Sequence, residues 1–255
     1  MRQLLVINPN TSAGVSALLQ THAQHAAGPQ VQVRTVTARF GAPYIACEAS
    51  YLVAGHATLD AWATALAQEA YYPDAVLIGC FGDPGLLALR ETSRAPVTGL
   101  AEAAFREAAE HGRFAIVTGG ARWQTMLQRL ANSLGYGSAL GGIHTVAPTG
   151  AQLATDPLGA QTLLTQACQN AVRDLKVQAV ILGGAGLAGL AAAIQPHVDV
   201  PVIDSVLAGT RQALRAGAIA SPGATGRFDV RWQGVSAELA ALGLPSSGVD
   251  TLQIK

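Results

Sequence analysis

The chain has 255 residues, half of them hydrophobic and 13% charged, which is enough apolar material for one large or two modest α/β lobes with a packed core. Its 16 basic and 16 acidic side chains give a formal net charge of zero. This balance excludes the basic footprint of proteins that bind nucleic acids or anionic membranes, and it favours a small neutral or anionic substrate.

Short β-branched runs alternate with longer Ala/Leu-rich segments from the N-terminus onward, which is typical of βα units around a parallel sheet. The first predicted strands are residues 4–7, 31–36, 75–79 and 96–99. Residues 8–12 supply a loop and a helix cap, and the helix after them is expected to run to about Ala27. Apolar residues at helical spacing predict a second helix over residues 50–70. Asp83 and Pro84 are predicted to be the cap and the first residue of the next helix.

The same series begins again in the second half of the chain. Strands are predicted at residues 114–118, 143–146, 179–182 and 200–203. One helix is expected to start near Arg122, and another to cover residues 157–175 with Asp156 as its cap and Pro157 at its first position. Asp204 or Ser205 is expected to cap the last helix. The chain is therefore predicted to be an α/β protein with an architectural repeat.

Ligands of open parallel sheets bind beyond the carboxyl ends of the strands, so the loops after the strands hold the candidate site residues. Cys80 follows a buried strand and precedes the predicted helix start at Asp83, where a helix dipole would favour a thiolate. A small buried hydrophobic residue is an equally good interpretation of Cys80 from position alone. Cys47 and Cys168 are predicted to be packing residues.

Three other loops could hold the oxygen atoms of a substrate. Residues 8–12 (Asn-Pro-Asn-Thr-Ser) offer backbone N–H groups and short polar side chains that suit a carboxylate or imide oxygen, although an ordinary capped turn explains them as well. Residues 118–120 (Thr-Gly-Gly) have the same placement in the second half. Glycines between residues 183 and 189 permit close approach of a ligand to the backbone.

The last of these loops also matches the dinucleotide fingerprint at Gly184, Gly186 and Gly189, with Asp204 where the ribose-binding acid should lie. A dinucleotide fold places this fingerprint in its first βα unit, whereas here it comes late in the chain. No cofactor is therefore predicted. The histidines show no metal-type pairing, so no metal site is predicted either.

Three cysteines at wide spacings predict neither a disulfide framework nor a zinc site. The apolar run at residues 1–8 is too short for a signal peptide, and the apolar stretch 179–194 is shorter than the about 20 residues that a membrane span needs. The chain is expected to be cytoplasmic, with no membrane or nucleic-acid partner.

Four segments in register resemble the hydantoin and allantoin racemases of the aspartate/glutamate/hydantoin racemase family. They are residues 8–12, Cys-Phe-Gly-Asp-Pro-Gly-Leu at 80–86, residues 118–120 and Pro-Val-Ile-Asp at 201–204. Their order and spacing match over roughly residues 1 to 217. The resemblance implies two pseudosymmetric lobes, each a parallel sheet flanked by helices, with the active site in the cleft between them.

The lobes are expected to be residues 1–97 plus 207–220 and residues 98–206, with a tail of unassigned role at 221–255. The resemblance also implies a homo-oligomer.

The family's chemistry is cofactor-independent proton transfer at a carbon next to a carbonyl, performed by two cysteines on opposite faces of that carbon. Cys80 matches the first cysteine. The second would follow the strand at 179–182, where this chain has Gly183 and Gly184, so the second proton-transfer group is missing. The site residues implied are Cys80 as acid/base, with Asn10, Thr11, Ser12, Phe81, Gly82, Thr118, Gly119, Gly183 and Gly184 around the substrate.

Three explanations of the missing cysteine are open. Another group, such as Thr118 or a bound water, could serve the second face. The enzyme could need one base only, as in decarboxylases of the same superfamily, with backbone N–H groups of Gly183 and Gly184 holding an oxyanion. The third explanation is a catalytically inactive homologue that only binds a small molecule.

Overall fold

The computed structural model describes residues 1–68, 72–148, 150–216 and 226–244, and their strands form two parallel four-stranded sheets. The first sheet contains β1 (Arg2–Asn8), β2 (Val31–Thr37), β3 (Ala75–Ile78) and β4 (Val97–Gly99), in the order β2-β1-β3-β4. The second contains β5 (Phe114–Gly119), β6 (Leu140–Val146), β7 (Ala179–Gly183) and β8 (Val202–Asp204), in the matching order β6-β5-β7-β8. The predicted strands and the repeated α/β architecture are confirmed.

Helices flank both sheets. They are α1 (Ala13–Ala27), α2 (Glu48–Gln68), α3 (Leu86–Thr92), α4 (Leu100–Ala109), α5 (Trp123–Ser133), α6 (Gly150–Thr155), α7 (Pro157–Leu175), α8 (Leu190–Ile194), α9 (Ser205–Ala216) and α10 (Ala237–Ala241). Short 3₁₀ helices cover Ala185–Leu187 and Gln195–His197. The predicted caps of α1 and α7 are confirmed, since Ser12 and Asp156 accept hydrogen bonds from the first turns of these helices. The predicted second helix is α2, and residues 69 and 70 lie outside the described part of the chain.

The central strands are apolar along their whole length because helices cover both faces of each sheet. Every residue of β3 and of β5 is buried. On α4, the ring of Phe105 stacks on Phe114 of β5 at 5.7 Å and meets Phe81 edge-on at 6.0 Å. These rings give the two sheets a shared apolar core.

The expected helix start at Asp83 and Pro84 is wrong. Helix α3 begins later, at Leu86, and the residue before it is Gly85. Asp83 has a left-handed backbone with φ of 53°, and its carboxylate accepts hydrogen bonds from the backbone N–H groups of Ala101 and Glu102 at 2.9 and 2.8 Å. Asp83 therefore caps α4, which follows the neighbouring strand β4, and not the helix that comes next in the sequence.

The last helix of the repeat, α9, packs against both α1 and α4. Strand β4 of the first sheet ends at Gly99, two residues beyond the expected end of the first lobe. The division into two lobes stays a prediction, and residues 217–220 lie outside the described part of the chain.

Residues 226–244, to which the sequence assigns no role, cover one face of α2. Phe228 meets Trp62 of α2 edge-on at 6.0 Å, and α10 packs against the same helix. Arg39 forms ion pairs with Asp60 of α2 and Glu238 of α10 at 2.8 and 3.0 Å. Residues 221–225 and 245–255 lie outside the described part of the chain.

None of the helices within the described ranges has the length and apolar character needed to cross a membrane.

Candidate active site

A cavity lies at the carboxyl ends of the strands. Its walls come from the loops after β1, β2 and β3 on one side and from the loops after β5 and β7 on the other. Six predicted site residues line it: Asn10, Cys80, Phe81, Thr118, Gly183 and Gly184. Another cavity lies at the amino ends of β1 and β2 beside Gln3 and Gln32, away from these loops.

Cys80 lies in a tight turn that begins where β3 ends. Its carbonyl oxygen accepts hydrogen bonds from the N–H groups of Gly82 and Asp83 at 3.0 and 3.1 Å, and the residue is 8% exposed. Burial, reinforced by the nearby Asp83 carboxyl, raises the pKa of the Cys80 thiol above its ordinary value. The helix that was expected to favour a thiolate begins at Leu86 and not at Asp83, and burial favours the thiol form of Cys80.

Asp83 is a second buried ionisable group next to Cys80. Burial raises the pKa of its carboxyl to about 7, although the two N–H groups of α4 oppose this shift. The carboxylate fits because Gly99 has no side chain, and a Cβ there would overlap it. Cys80 and Asp83 thus make a buried pair in which both neutral forms are favoured by desolvation.

Asn10 and Thr118 reach the cavity from the first and the second sheet. The Oδ1 atom of Asn10 accepts hydrogen bonds from the Asn8 side chain and the Ser12 N–H at 3.0 and 2.9 Å. A ligand oxygen at Asn10 would therefore meet its amide NH₂ group. Thr118 Oγ1 donates to the carbonyl oxygen of Gly183 at 2.7 Å, so its hydroxyl proton points into the protein.

The two glycines after β7 differ in what a side chain would meet. At Gly183 a Cβ would overlap the ring of Phe81, because this ring occupies the space beside the glycine where a side chain would lie. At Gly184 a Cβ would have only ordinary contact with Leu187, but the backbone has φ of 142°, which favours glycine. The N–H of Gly184, one of the expected oxyanion donors, donates to Ser205 Oγ at 3.2 Å.

Four predicted site residues shape the walls without lining the cavity. Ser12 caps α1, and the Thr11 N–H donates to the carbonyl oxygen of Ala42 at 3.1 Å. The carbonyl oxygen of Gly82 accepts a hydrogen bond from the hydroxyl of Tyr51 at 2.9 Å. The carbonyl oxygen of Gly119 accepts one from the hydroxyl of Tyr44 at 3.4 Å.

Tyr44, Ile45 and Trp123 line the cavity and were not predicted from the sequence. Tyr44 and Ile45 follow β2, and Trp123 opens the helix after β5, so all three come after strands whose carboxyl ends face the cavity. The same rule that singled out Cys80 could have found them, because every loop at that edge of the sheets is a candidate wall.

The glycine-rich loop after β7 lacks the geometry of a dinucleotide site. It forms a 3₁₀ turn at Ala185–Leu187 and then a helix of five residues, α8, which is too short to present a strong dipole to a pyrophosphate. The carboxylate of Asp204 accepts hydrogen bonds from the N–H groups of Gly189 and Val206 at 2.7 and 2.8 Å, so it holds the loop in place. In the described ranges, no cluster of three or more His, Cys, Asp or Glu residues could hold a metal ion.

A family model described as Asp/Glu/Hydantoin racemase matches residues 4–213. The hydantoin racemase of Pseudomonas sp. (strain NS671) is 32% identical over 212 residues, covering 83% of this chain and 84% of that protein. A solved allantoin racemase from Klebsiella pneumoniae is similar with a TM-score of 0.85 and 29% identity, over 95% of this chain and 99% of that chain. The allantoin racemase from Pseudomonas fluorescens has a TM-score of 0.79 and 26% identity, over 84% and 89% of the two chains.

Proposed function

The chain belongs to the Asp/Glu/hydantoin racemase family, and we propose that it is an isomerase that transfers a proton at a carbon next to a carbonyl, with Cys80 as acid/base. The substrate would be a hydantoin, allantoin or an amino-acid-like molecule. The observation that carries the proposal is the position of Cys80 at the carboxyl end of β3, on the wall of a cavity that both sheets line.

The chemistry needs no bound cofactor. The Cys80 sulfur removes the proton, the carbonyl oxygen takes up the electron pair as an enolate, and a proton returns to the carbon. Asn10 and the loop N–H groups are the donors that support the developing charge on oxygen. Because burial raises the pKa of Cys80, the thiol is the resting form, and proton removal should speed up as the pH rises.

We also propose that the protein is cytoplasmic and forms a homo-oligomer. Three free thiols suit a reducing compartment such as the cytoplasm. A homo-oligomer is proposed from the family resemblance.

The test is to incubate single enantiomers of 5-substituted hydantoins, allantoin, aspartate and glutamate with the protein in D₂O. Proton NMR follows exchange at the acidic carbon and polarimetry follows inversion. Cys80→Ala should lower the exchange rate by roughly 100-fold or more. Cys168→Ala, which removes a buried thiol that does not line the cavity, is the matched control and should keep the wild-type rate.

Full exchange activity in Cys80→Ala would contradict the role of the sulfur. Failure of the wild type to exchange any of these substrates would contradict the proposed reaction.

One-base decarboxylation is a second candidate, favoured by the protonated thiol and by the lack of a side chain at Gly184. Loss of CO₂ from a substituted malonate would leave an enediolate, the S–H of Cys80 would protonate its carbon, and water would return the proton to sulfur. Release of CO₂ from arylmalonates, absent in Cys80→Ala, would support this candidate over racemisation.

A further inference from the structure

We propose that Tyr44 supplies the second proton-transfer group, on the face of the substrate opposite Cys80. The inference rests on the proposed function. In it, the Tyr44 phenol takes the place of the proton-transfer group that Gly184 cannot provide. It comes from the placement of the phenol in the cavity described above.

The phenol of Tyr44 crosses from one wall of the cavity to the other. Tyr44 belongs to the loop after β2 of the first sheet, yet its hydroxyl lies 3.4 Å from the carbonyl oxygen of Gly119, where β5 of the second sheet ends. A Cβ on Gly120 would be 3.7 Å from the same hydroxyl, so this part of the wall is close to the phenol oxygen.

Strand pairing puts that oxygen on the side of the missing cysteine. Strand β5 pairs with β7, and Thr118 lies opposite Gly183 in the register. Gly119 and Gly184 are the next residues on the two strands' carboxyl sides. Cys80, in contrast, is carried by the first sheet, at the end of β3.

The other polar side chains of the cavity wall are poorer candidates. An alcohol such as Thr118 is far too weak an acid to cycle between protonation states. Its hydroxyl donates to the Gly183 carbonyl oxygen at 2.7 Å, a shorter hydrogen bond than the one at 3.4 Å that the Tyr44 hydroxyl donates to Gly119. Asn10 and Trp123 carry N–H groups that do not ionise at ordinary pH. Among the described residues that line this cavity, Cys80 and Tyr44 are therefore the pair with titratable side chains.

The proton balance closes with these two groups. The Cys80 thiolate takes the proton from the acidic carbon, and the C–H electron pair forms the enolate. The O–H bond of Tyr44 breaks to give its proton to the opposite face, and the carbonyl re-forms. The enzyme is left with a Cys80 thiol and a Tyr44 phenolate, which is the arrangement that accepts the mirror-image substrate; exchange of one proton through water restores the first form.

The experiment compares wild type, Tyr44→Phe and Tyr72→Phe, with both enantiomers of each active substrate in D₂O. Tyr72 is a surface tyrosine that binds Ser93 and Arg94, so Tyr72→Phe controls for the loss of a phenol elsewhere. Tyr44→Phe should lower inversion by roughly 100-fold or more, while the enantiomer whose hydrogen faces Cys80 still exchanges it with retention. A residue with a purely structural role would lower exchange and inversion together.

Inversion by Tyr44→Phe within a factor of about three of wild type, or equal loss of exchange and inversion in a variant with a native circular dichroism spectrum, would overturn the inference. In both cases the proposed function stands if Cys80→Ala remains inactive. A wild type that exchanges no substrate overturns the proposed function, and the inference with it.

Discussion

The three cysteines occupy different surroundings, and these decide their reactivity. Burial raises the pKa of Cys168 to about 12, and burial together with Asp83 raises that of Cys80. Cys47 is half-buried, and hydrogen bonding to the Ser50 hydroxyl lowers its pKa. Since the thiolate is the nucleophile, Cys47, which has no part in the proposed chemistry, should be the most reactive of the three in the resting protein.

Brief treatment of the native protein with iodoacetamide should therefore modify Cys47 at least roughly ten times faster than Cys80 at neutral pH. Peptide mass spectrometry at timed intervals measures the two rates. Cys47→Ser should leave the Cys80 rate unchanged, and in urea the two wild-type rates should converge. Faster modification of Cys80 than of Cys47 would contradict the burial argument.

For single residues, the sequence predicts that the loop of Cys80 lies at the ligand edge of the sheet. It does not predict which side chains surround the Cys80 sulfur. Cys80 was found because a residue just past an apolar strand faces the ligand edge of the sheet. Asp83 was misassigned because the N–H groups that it binds belong to Ala101 and Glu102, which no local pattern connects to it. The loop of Tyr44 lies at the same edge and could have been listed, but nothing near Tyr44 in the sequence shows that its side chain reaches the second sheet.

The elements themselves follow from local patterns, and this is where the prediction succeeds most fully. Continuous apolar runs such as Ala75–Ile78 become central strands because helices cover both of their faces. Helix α3 begins later than predicted because Asp83, with a left-handed backbone, turns its carboxylate to α4. A capping side chain can accept hydrogen bonds from any helix N-terminus that lies close to it in space, whereas the sequence shows only the helix that follows it in the chain.

The cap of α4 gives the protein a characteristic pH response. In the folded protein burial raises the pKa of Asp83 to about 7, whereas in the unfolded chain it has the ordinary value of 3.8. Between these values the folded state holds one proton more than the unfolded state, so this group lowers the free energy of unfolding as the pH rises. This contribution is lost as the pH rises through the folded-state pKa of about 7.

Asp83→Asn should remove this contribution. The difference in unfolding free energy, wild type minus variant, should shrink between about pH 5 and about pH 8, as measured by urea titration. Asp60→Asn is the control: burial opposes ionisation of Asp60, but hydrogen bonds from Arg39 and Ser236 outweigh it and lower its pKa. Its difference from wild type should stay constant over this range, because Asp60 is ionised in both states. A constant or growing difference for Asp83→Asn would contradict the pKa assignment.

At the scale of the whole molecule, two sheets with the same strand order share the helices α4 and α9, and the segment 226–244 packs on α2. The repeat was predictable because each half shows its own alternation of strands and helices. The role of the segment was not, because its helix α10 has only five residues and the segment contacts residues distant in the sequence: Phe228 contacts Trp62, and Glu238 contacts Arg39. Contacts of that kind leave no periodicity in the chain.

The segment should contribute measurably to global stability. Leu239 of α10 is fully buried, so Leu239→Ala should lower the free energy of unfolding by about 2–5 kcal/mol through lost burial and a residual void. Leu244→Ala makes the same change at a side chain that is 45% exposed and should stay within about 0.5 kcal/mol of wild type. Denaturant titration measures both. A loss for Leu239→Ala as small as the one expected for Leu244→Ala would show that the packing of α10 on α2 does not stabilise the protein.

Phe81 and Gly183 make the two halves dependent on each other in their evolution. The aromatic ring from the first half occupies the space that a side chain at Gly183, in the second, would need. A larger residue at 183 is tolerated only after position 81 has become smaller, and a smaller residue at 81 alone leaves a void. Although the two halves have the same strand order, substitutions at 81 in one half and at 183 in the other constrain each other. A recombination event that replaces one half with that of a distant relative has to bring in a residue at 81 or 183 that fits the residue kept at the other position.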